Sequence, residues 1–131
     1  MHTALTAFVT ARQMRDCETQ FFATGIAPDA LIIRAGTAVA QVILHRYPVQ
    51  QTVLVFAGPG NNGADALVVA AQLAQQGRQI TLLCWRRAPD AWLMTATAAG
   101  VQIVANWDAD WDTNWDPSIF AHPAHSYCEL K

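Results

Sequence analysis

Two continuous apolar runs, Thr52-Val53-Leu54-Val55-Phe56-Ala57 and Ile80 to Trp85, stand on either side of a glycine-rich turn and a helical stretch. No other feature constrains the fold of this chain as tightly. Runs without polar alternation belong to strands covered on both faces, as in parallel sheets. The segment between them opens with Gly58-Pro59-Gly60-Asn61-Asn62-Gly63 and is expected to continue as a helix from about Ala64 to Gln76, closed by Gly77. A connection of that length suits a right-handed crossover between parallel neighbours.

The flanks extend the pattern. Thr10 followed by Gln13 forms a capping box, Met14, Cys17 and Phe21 recur at helical spacing, and Gly25 can end that helix. A second helix is expected to start near Pro28 and Asp29, with an apolar face of Leu31, Ala35, Val39, Val42 and Ile43 and a stop at Pro48. Pro89 and Asp90 open a shorter helix, Gly100 ends it, and Val101 to Val104 make a third strand. The order α-α-β-α-β-α-β predicts an α/β fold with a mostly parallel sheet.

The chain has 131 residues, the size of one domain. Its 53% hydrophobic and 14% charged residues exclude an intrinsically disordered chain. A net charge of -2 and a pI near 6.0 argue against binding nucleic acid through a basic face. No stretch reads as a membrane span of about 20 apolar residues. The first eleven residues carry no Lys or Arg and too short an apolar part for a signal peptide. Cys17, Cys84 and Cys128 are odd in number and without CxxC spacing, so neither a disulfide framework nor a zinc site is indicated. The expectation is a soluble, cytoplasmic domain with a small-molecule ligand and neither a nucleic-acid nor a membrane partner.

After Val104 the composition shifts. Trp107, Trp111 and Trp115 lie four apart, each followed by Asp. The spacing would align them on one helical face, against the poor helix propensity of the Asp, Asn, Thr and Trp around them. The series reads as a packing stripe or as exposed apolar surface. Asp108, Asp110 and Asp112 mimic the start of a calcium loop, but Thr113 stands where glycine is required and Ile119 where glutamate is. His122 and His125 are separated by Pro123, which opposes a helical ligand pair, and His45 near a helix end reads as a structural cation. Three strands are fewer than the about five or six of an average sheet, as in the first part of something longer.

The chemistry concentrates in the loop. Gly58, Gly60 and Gly63 satisfy G-x-G-x-x-G between strand and helix, where glycines allow tight turning and a helix start offers N–H groups to anions. Asn61 and Asn62 place amide groups at the sheet's carboxyl edge, able to bind a cation through oxygen or a ribose or phosphate through N–H. Asp65 is expected in the first helical turn, where it either complements the helix dipole or contacts a sugar hydroxyl or cation. Gly63-Ala64-Asp65 lacks the lysine of a phosphate-binding Walker loop. Arg86 and Arg87 follow the second strand, where an arginine can accommodate a ribose 2′-phosphate.

Phe56 to Ala70 resembles the signature GxGNNGGDGLVVA of the YjeF N-terminal domain family, the NAD(P)H-hydrate epimerases. Met14-Arg15-Asp16, Gly25-Ile26-Ala27, Arg34-Ala35-Gly36, Gly77 to Leu83 and Ala99-Gly100-Val101 extend the likeness over about residues 12–105, leaving 106–131 as an atypical tail of the one domain. The resemblance implies a Rossmann-like α/β/α fold and interconversion of the R and S epimers of hydrated NADH and NADPH (NADHX and NADPHX). It further implies a potassium ion with Asn62 as ligand, substrate contacts by Asn61, Asn62, Gly63, Ala64 and Asp65, and a functional link to a dehydratase. Ala64 and Ala66 stand where the signature has glycine, and a methyl group is costly there if either position needs φ > 0 or close backbone approach.

The family's catalytic carboxylate, further potassium ligands and second glycine loop come from later segments with a Pro-Ser-Gly-x-Asp motif, which is not present here. The catalytic residue is therefore left unassigned, and the domain is expected to be truncated on its C-terminal side. Three alternatives stay open: a non-catalytic nucleotide-binding or protein-interaction module of the same fold, half of an NADP-dependent oxidoreductase, and an inactive remnant. Oligomeric state, a homodimer included, is open as well.

Overall fold

The structure, a computed structural model, describes residues 8–107. Trp111, Trp115, Asp108, Asp110, Asp112, His2, His122, His125 and Cys128 lie outside the described residues. The elements run α1 (Ala11–Ala23), α2 (Pro28–Arg46), β1 (Val53–Ala57), α3 (Asn61–Gln75), β2 (Ile80–Trp85), α4 (Ala91–Ala98) and β3 (Gln102–Trp107). The chain divides into two compact units at Leu31/Ile32.

In the first unit the expected capping box forms. The Thr10 hydroxyl accepts from the Gln13 N–H at 3.2 Å, and the Gln13 side chain accepts from the Thr10 N–H at 2.8 Å. Gly25 lies just beyond the helix at φ +90°, a left-handed conformation that glycine adopts without strain.

The second unit carries the sheet, in the order β1-β2-β3 with both pairs parallel. Val53, Val55 and Ala57 of β1 and Ile80, Leu82 and Cys84 of β2 share one face and pack with Leu67, Ala70 and Leu73 of α3, Ala40 of α2 and Ala96 of α4. On the other face Leu83 is buried while Phe56 and Trp85 are exposed, so β1 is less evenly covered than its apolar run suggests. Burying each of Leu67, Leu73, Leu82 and Leu83 contributes about 1.5–3 kcal/mol. Arg78, itself buried, donates from Nη2 to the Tyr47 carbonyl at 2.5 Å and from Nη1 to the Pro48 carbonyl. It thereby fixes the chain between α2 and β1.

Two expectations are corrected here. The face α2 buries is Ile32, Gly36 and Ala40, with Ile43 and Leu44 half-buried, whereas Ala35, Val39 and Val42 are exposed. Close approach to α3 selects the stripe with the smallest residues: a Cβ at Gly36 would lie 2.7 Å from the Val68 Cβ and 2.9 Å from the Asp65 carbonyl oxygen. A hydrogen bond from Gln72 to the Thr37 hydroxyl, 2.7 Å, ties the same two helices. Trp107 belongs to β3, opposite Trp85, so it cannot begin a helical tryptophan stripe. Hydrogen bonding to β2 outweighs the four-residue spacing.

Gly36→Ala is expected to lower stability by about 1–3 kcal/mol, the usual cost of overpacking a close contact. Urea denaturation measures it, and an unchanged midpoint would mean that α2 moves away freely. Among the described residues no single helix is long and apolar enough to cross a membrane.

Candidate functional site

The site is built where β1 runs into α3, at the carboxyl edge of the sheet. The turn is shorter than expected. Gly60 is the N-cap, in extended conformation at φ −91° and ψ −169°, and α3 begins at Asn61 rather than near Ala64. Asn61, Asn62 and Gly63 are thus the first three residues of the helix, and Asp65 lies past its first turn. No side chain caps this end. The Gly60 carbonyl accepts the first helical bond, from the Ala64 N–H at 3.2 Å, while the N–H groups of Asn61, Asn62 and Gly63 precede the first intrahelical donor. Such an end carries partial positive charge and presents donors to an anion.

The three glycines of the motif are unequal. A Cβ on Gly58 or Gly60 would meet nothing within 4 Å, but one on Gly63 would lie 2.0 Å from the Gly58 oxygen and 2.8 Å from Arg87 Nη1. None of the three is at positive φ. Gly63 therefore serves close packing of the helix on its own turn, the task of the third glycine in this motif.

Arg87 is 4% exposed. Its Nη1 donates to the Gly58 oxygen at 2.8 Å and the Gly60 oxygen at 2.9 Å, and its Nη2 pairs with Asp90. Asp90 also caps α4, accepting from the Leu93 N–H at 2.9 Å. This corrects the ribose-reading role for Arg87, whose donors hold the glycine turn. Arg86 keeps an exposed position at φ +48°, with its guanidinium 5.3 Å from the Trp85 ring centroid. The role of Arg87 escaped the sequence reasoning, although Arg-x-x-Asp ahead of a short helix is a legible signal of an ion pair joined to a cap.

Asn61 and Asn62 are exposed, Gly63 and Ala64 buried, and Asp65 half-buried. Asn62 and Asp65 are three apart on one helical face. Burial pushes the Asp65 carboxyl up from its usual value. No hydrogen bond or ion pair reaches that carboxylate among the described residues. Ala64 packs with Ile32 and Val68, Ala66 against the main core, and neither has positive φ. Their methyl groups are therefore compatible with the helix that glycines would weaken.

The donors suited to a hard cation are the Asn62 amide oxygen and the Asp65 carboxylate. The Gly58 and Gly60 carbonyls are engaged by Arg87. Among the described residues no group of three His, Cys, Asp or Glu comes together as a metal site.

The chain is 41% identical over 80 residues to the bifunctional NAD(P)H-hydrate repair enzyme Nnr of Gloeobacter violaceus, covering 60% of this chain and 16% of that protein. It is 40% identical over 77 residues to the NAD(P)H-hydrate epimerase of Limosilactobacillus fermentum, covering 57% and 36%. With that of Cenarchaeum symbiosum the identity is 37% over 75 residues, covering 57% and 35%. The chain thus spans little more than a third of the length of these relatives at most. The crystal structure of yeast ynu0, YNL200c, superposes with a TM-score of 0.73 at 22% identity, covering 93% of this chain and 54% of the yeast protein, which shows the same fold. A family model described as YjeF-related protein N-terminus matches residues 28–114, well over half of the chain, and the chain belongs to that family.

Proposed function

We propose that this chain is the nucleotide-binding part of an NAD(P)H-hydrate epimerase, acting in the interconversion of R and S NADHX and NADPHX. The observation that carries the reading is the uncapped start of α3, with Asn61, Asn62 and Asp65 on its first turns at the carboxyl edge of a parallel sheet. Similarity to proteins named NAD(P)H-hydrate epimerase supplies the substrate class.

In this reading the N–H groups of Asn61, Asn62 and Gly63 take the substrate's phosphate oxygens. The open space beside Gly58 and Gly60 admits the nucleotide close to the backbone. The Asp65 carboxylate accepts from a sugar hydroxyl. Asn62, with Asp65, would hold a potassium ion, which offsets the substrate's negative charge when bound. Epimerisation at a hydrated ring carbon also needs an acid–base group near that carbon, a role that none of Asn61, Asn62, Gly63, Ala64 and Asp65 is given. A functional link to a dehydratase belongs to the same reading, and similarity to a bifunctional NAD(P)H-hydrate repair enzyme supports it.

The test is conversion of purified R-NADPHX by the chain, in potassium and in sodium buffer. The S epimer is expected to accumulate faster with potassium, and Asn62→Ala is expected to remove that difference. A rise in melting temperature with R-NADPHX but no conversion would favour the binding module. The absence of both conversion and stabilisation would overturn the proposal.

A further inference from the structure

We infer that the ion pair of buried Arg87 with half-buried Asp90 is the positioning element of the nucleotide loop, holding the start of α3 in its ligand-ready orientation. The inference rests on the function proposed above for its effect on substrate, and on geometry alone for its effect on the loop. Arg87 comes from the end of β2 and Asp90 from the start of α4, yet the carbonyls they fix belong to the turn after β1. One guanidinium therefore joins three elements at the point where the site begins.

The contact with Gly60 is the informative one. A trans peptide is planar, with its N–H opposite its C=O. Drawing the Gly60 oxygen toward Arg87 turns the Asn61 N–H the other way, in line with the remaining free donors of the helix. The same oxygen accepts from the Ala64 N–H, so the guanidinium supports the first helical bond at its acceptor. The contact with Gly58 fixes the Gly58–Pro59 peptide, and Nη1 sits 2.8 Å from where a Gly63 Cβ would be. The pair thus fixes the start of α3 from its carbonyl side, without a side-chain cap, and leaves its N–H donors uncovered. A side-chain cap would have used one of those donors.

Burying a guanidinium is costly, and an apolar residue of similar volume often serves stability as well or better. Replacing Arg87 alone leaves the turn carbonyls and the Asp90 carboxylate without their donor, so lost stability by itself does not mark a positioning role. Only a planar fork with several donors can hold two carbonyls and a carboxylate together.

The experiment compares Arg87→Lys and Asp90→Asn with the unsubstituted chain. Asparagine keeps an N-cap acceptor for α4 and removes the ion pair. Three quantities are read: melting temperature, amide hydrogen exchange by NMR, and KM and kcat for R-NADPHX. In Arg87→Lys the Ala64 amide is expected to exchange roughly tenfold faster, while Leu82 and Cys84 in β2 exchange as before. KM is expected to rise about fivefold or more with kcat within about twofold, the mark of lost binding rather than lost chemistry. Asp90→Asn is expected to move both quantities in the same direction by less, and it carries the test if the lysine variant does not fold.

Unchanged Ala64 exchange, or equal acceleration at Ala64 and in β2, would overturn the inference. So would faster exchange with KM unaltered. If the unsubstituted chain neither converts nor binds R-NADPHX, the proposed function fails while the exchange data still decide whether the pair holds the loop.

Discussion

Gly63→Ala is expected to destabilise the chain by about 3 kcal/mol, at the upper end of overpacking costs, and to abolish ligand binding by whatever remains folded. The added methyl group would stand 2.0 Å from the Gly58 oxygen and 2.8 Å from its carbonyl carbon. Both are backbone atoms of a turn that Arg87 already holds. Relief would require α3 to back away from the turn, which would separate Gly58 and Gly60 from the guanidinium and uncover the core beneath Leu67. Urea denaturation of Gly63→Ala beside Gly58→Ala measures the effect. The second substitution points into open space at a non-positive φ and is expected to change stability by no more than about 0.5 kcal/mol. Equal effects at the two positions would refute the packing argument.

Asp65 separates stability from function. Its carboxyl is pushed up by burial and has no partner among the described residues. A carboxyl whose folded pKa lies above its unfolded value binds a proton more tightly when folded, so it favours folding most below the unfolded pKa. That favour is lost as pH rises through the folded pKa. Asp65→Asn is therefore expected to be more stable than the unsubstituted chain at pH 7, with the gain shrinking as pH falls through the raised folded pKa and gone below about 4. Denaturation midpoints at both pH values check the sign.

Activity should move the other way. A charged hydrogen bond to a sugar hydroxyl contributes about 1.5–3 kcal/mol, so Asp65→Ala is expected to lower kcat/KM for R-NADPHX by roughly ten- to a hundredfold. A more stable and less active variant is what a group kept for ligand contact produces. Loss of stability in Asp65→Asn at pH 7 would instead mark the carboxylate as a structural partner.

The strands and the end signals were legible because they depend on local chemistry: two unbroken apolar runs, the Thr10–Gln13 box, and glycines at 25, 77 and 100 in left-handed conformations. The start of α3 was less so. Gly60 caps without a side chain, and the turn is stabilised by Arg87 from 27 positions along the chain, a contact invisible to any local window. The α2 face was misplaced for a similar reason. Periodicity ranks residues by apolarity, and Val39 and Val42 outrank Gly36 and Ala40, but the geometry of the α2–α3 crossing rewards small size. Within the site, Asn61, Asn62 and Asp65 could be named from their spacing. Their positions relative to the helix start could not, because these follow from where the turn ends.

The sheet order β1-β2-β3 has a kinetic consequence. Each strand pairs with the next in sequence, Val53 with Ile80 and Thr81 with Gln102, so every crossover closes a short stretch of chain, and loop-closure entropy is small. Pairing parallel strands across a helical crossover is still a non-local contact, and it forms more slowly than the contacts of a helical bundle. Arg87 lies two residues past the end of β2, so the guanidinium arrives at the Gly58–Gly60 turn when β2 docks on β1. The Gly58–Gly60 turn and the guanidinium that holds it are thus brought together within the β1-α3-β2 unit, with no contribution from β3.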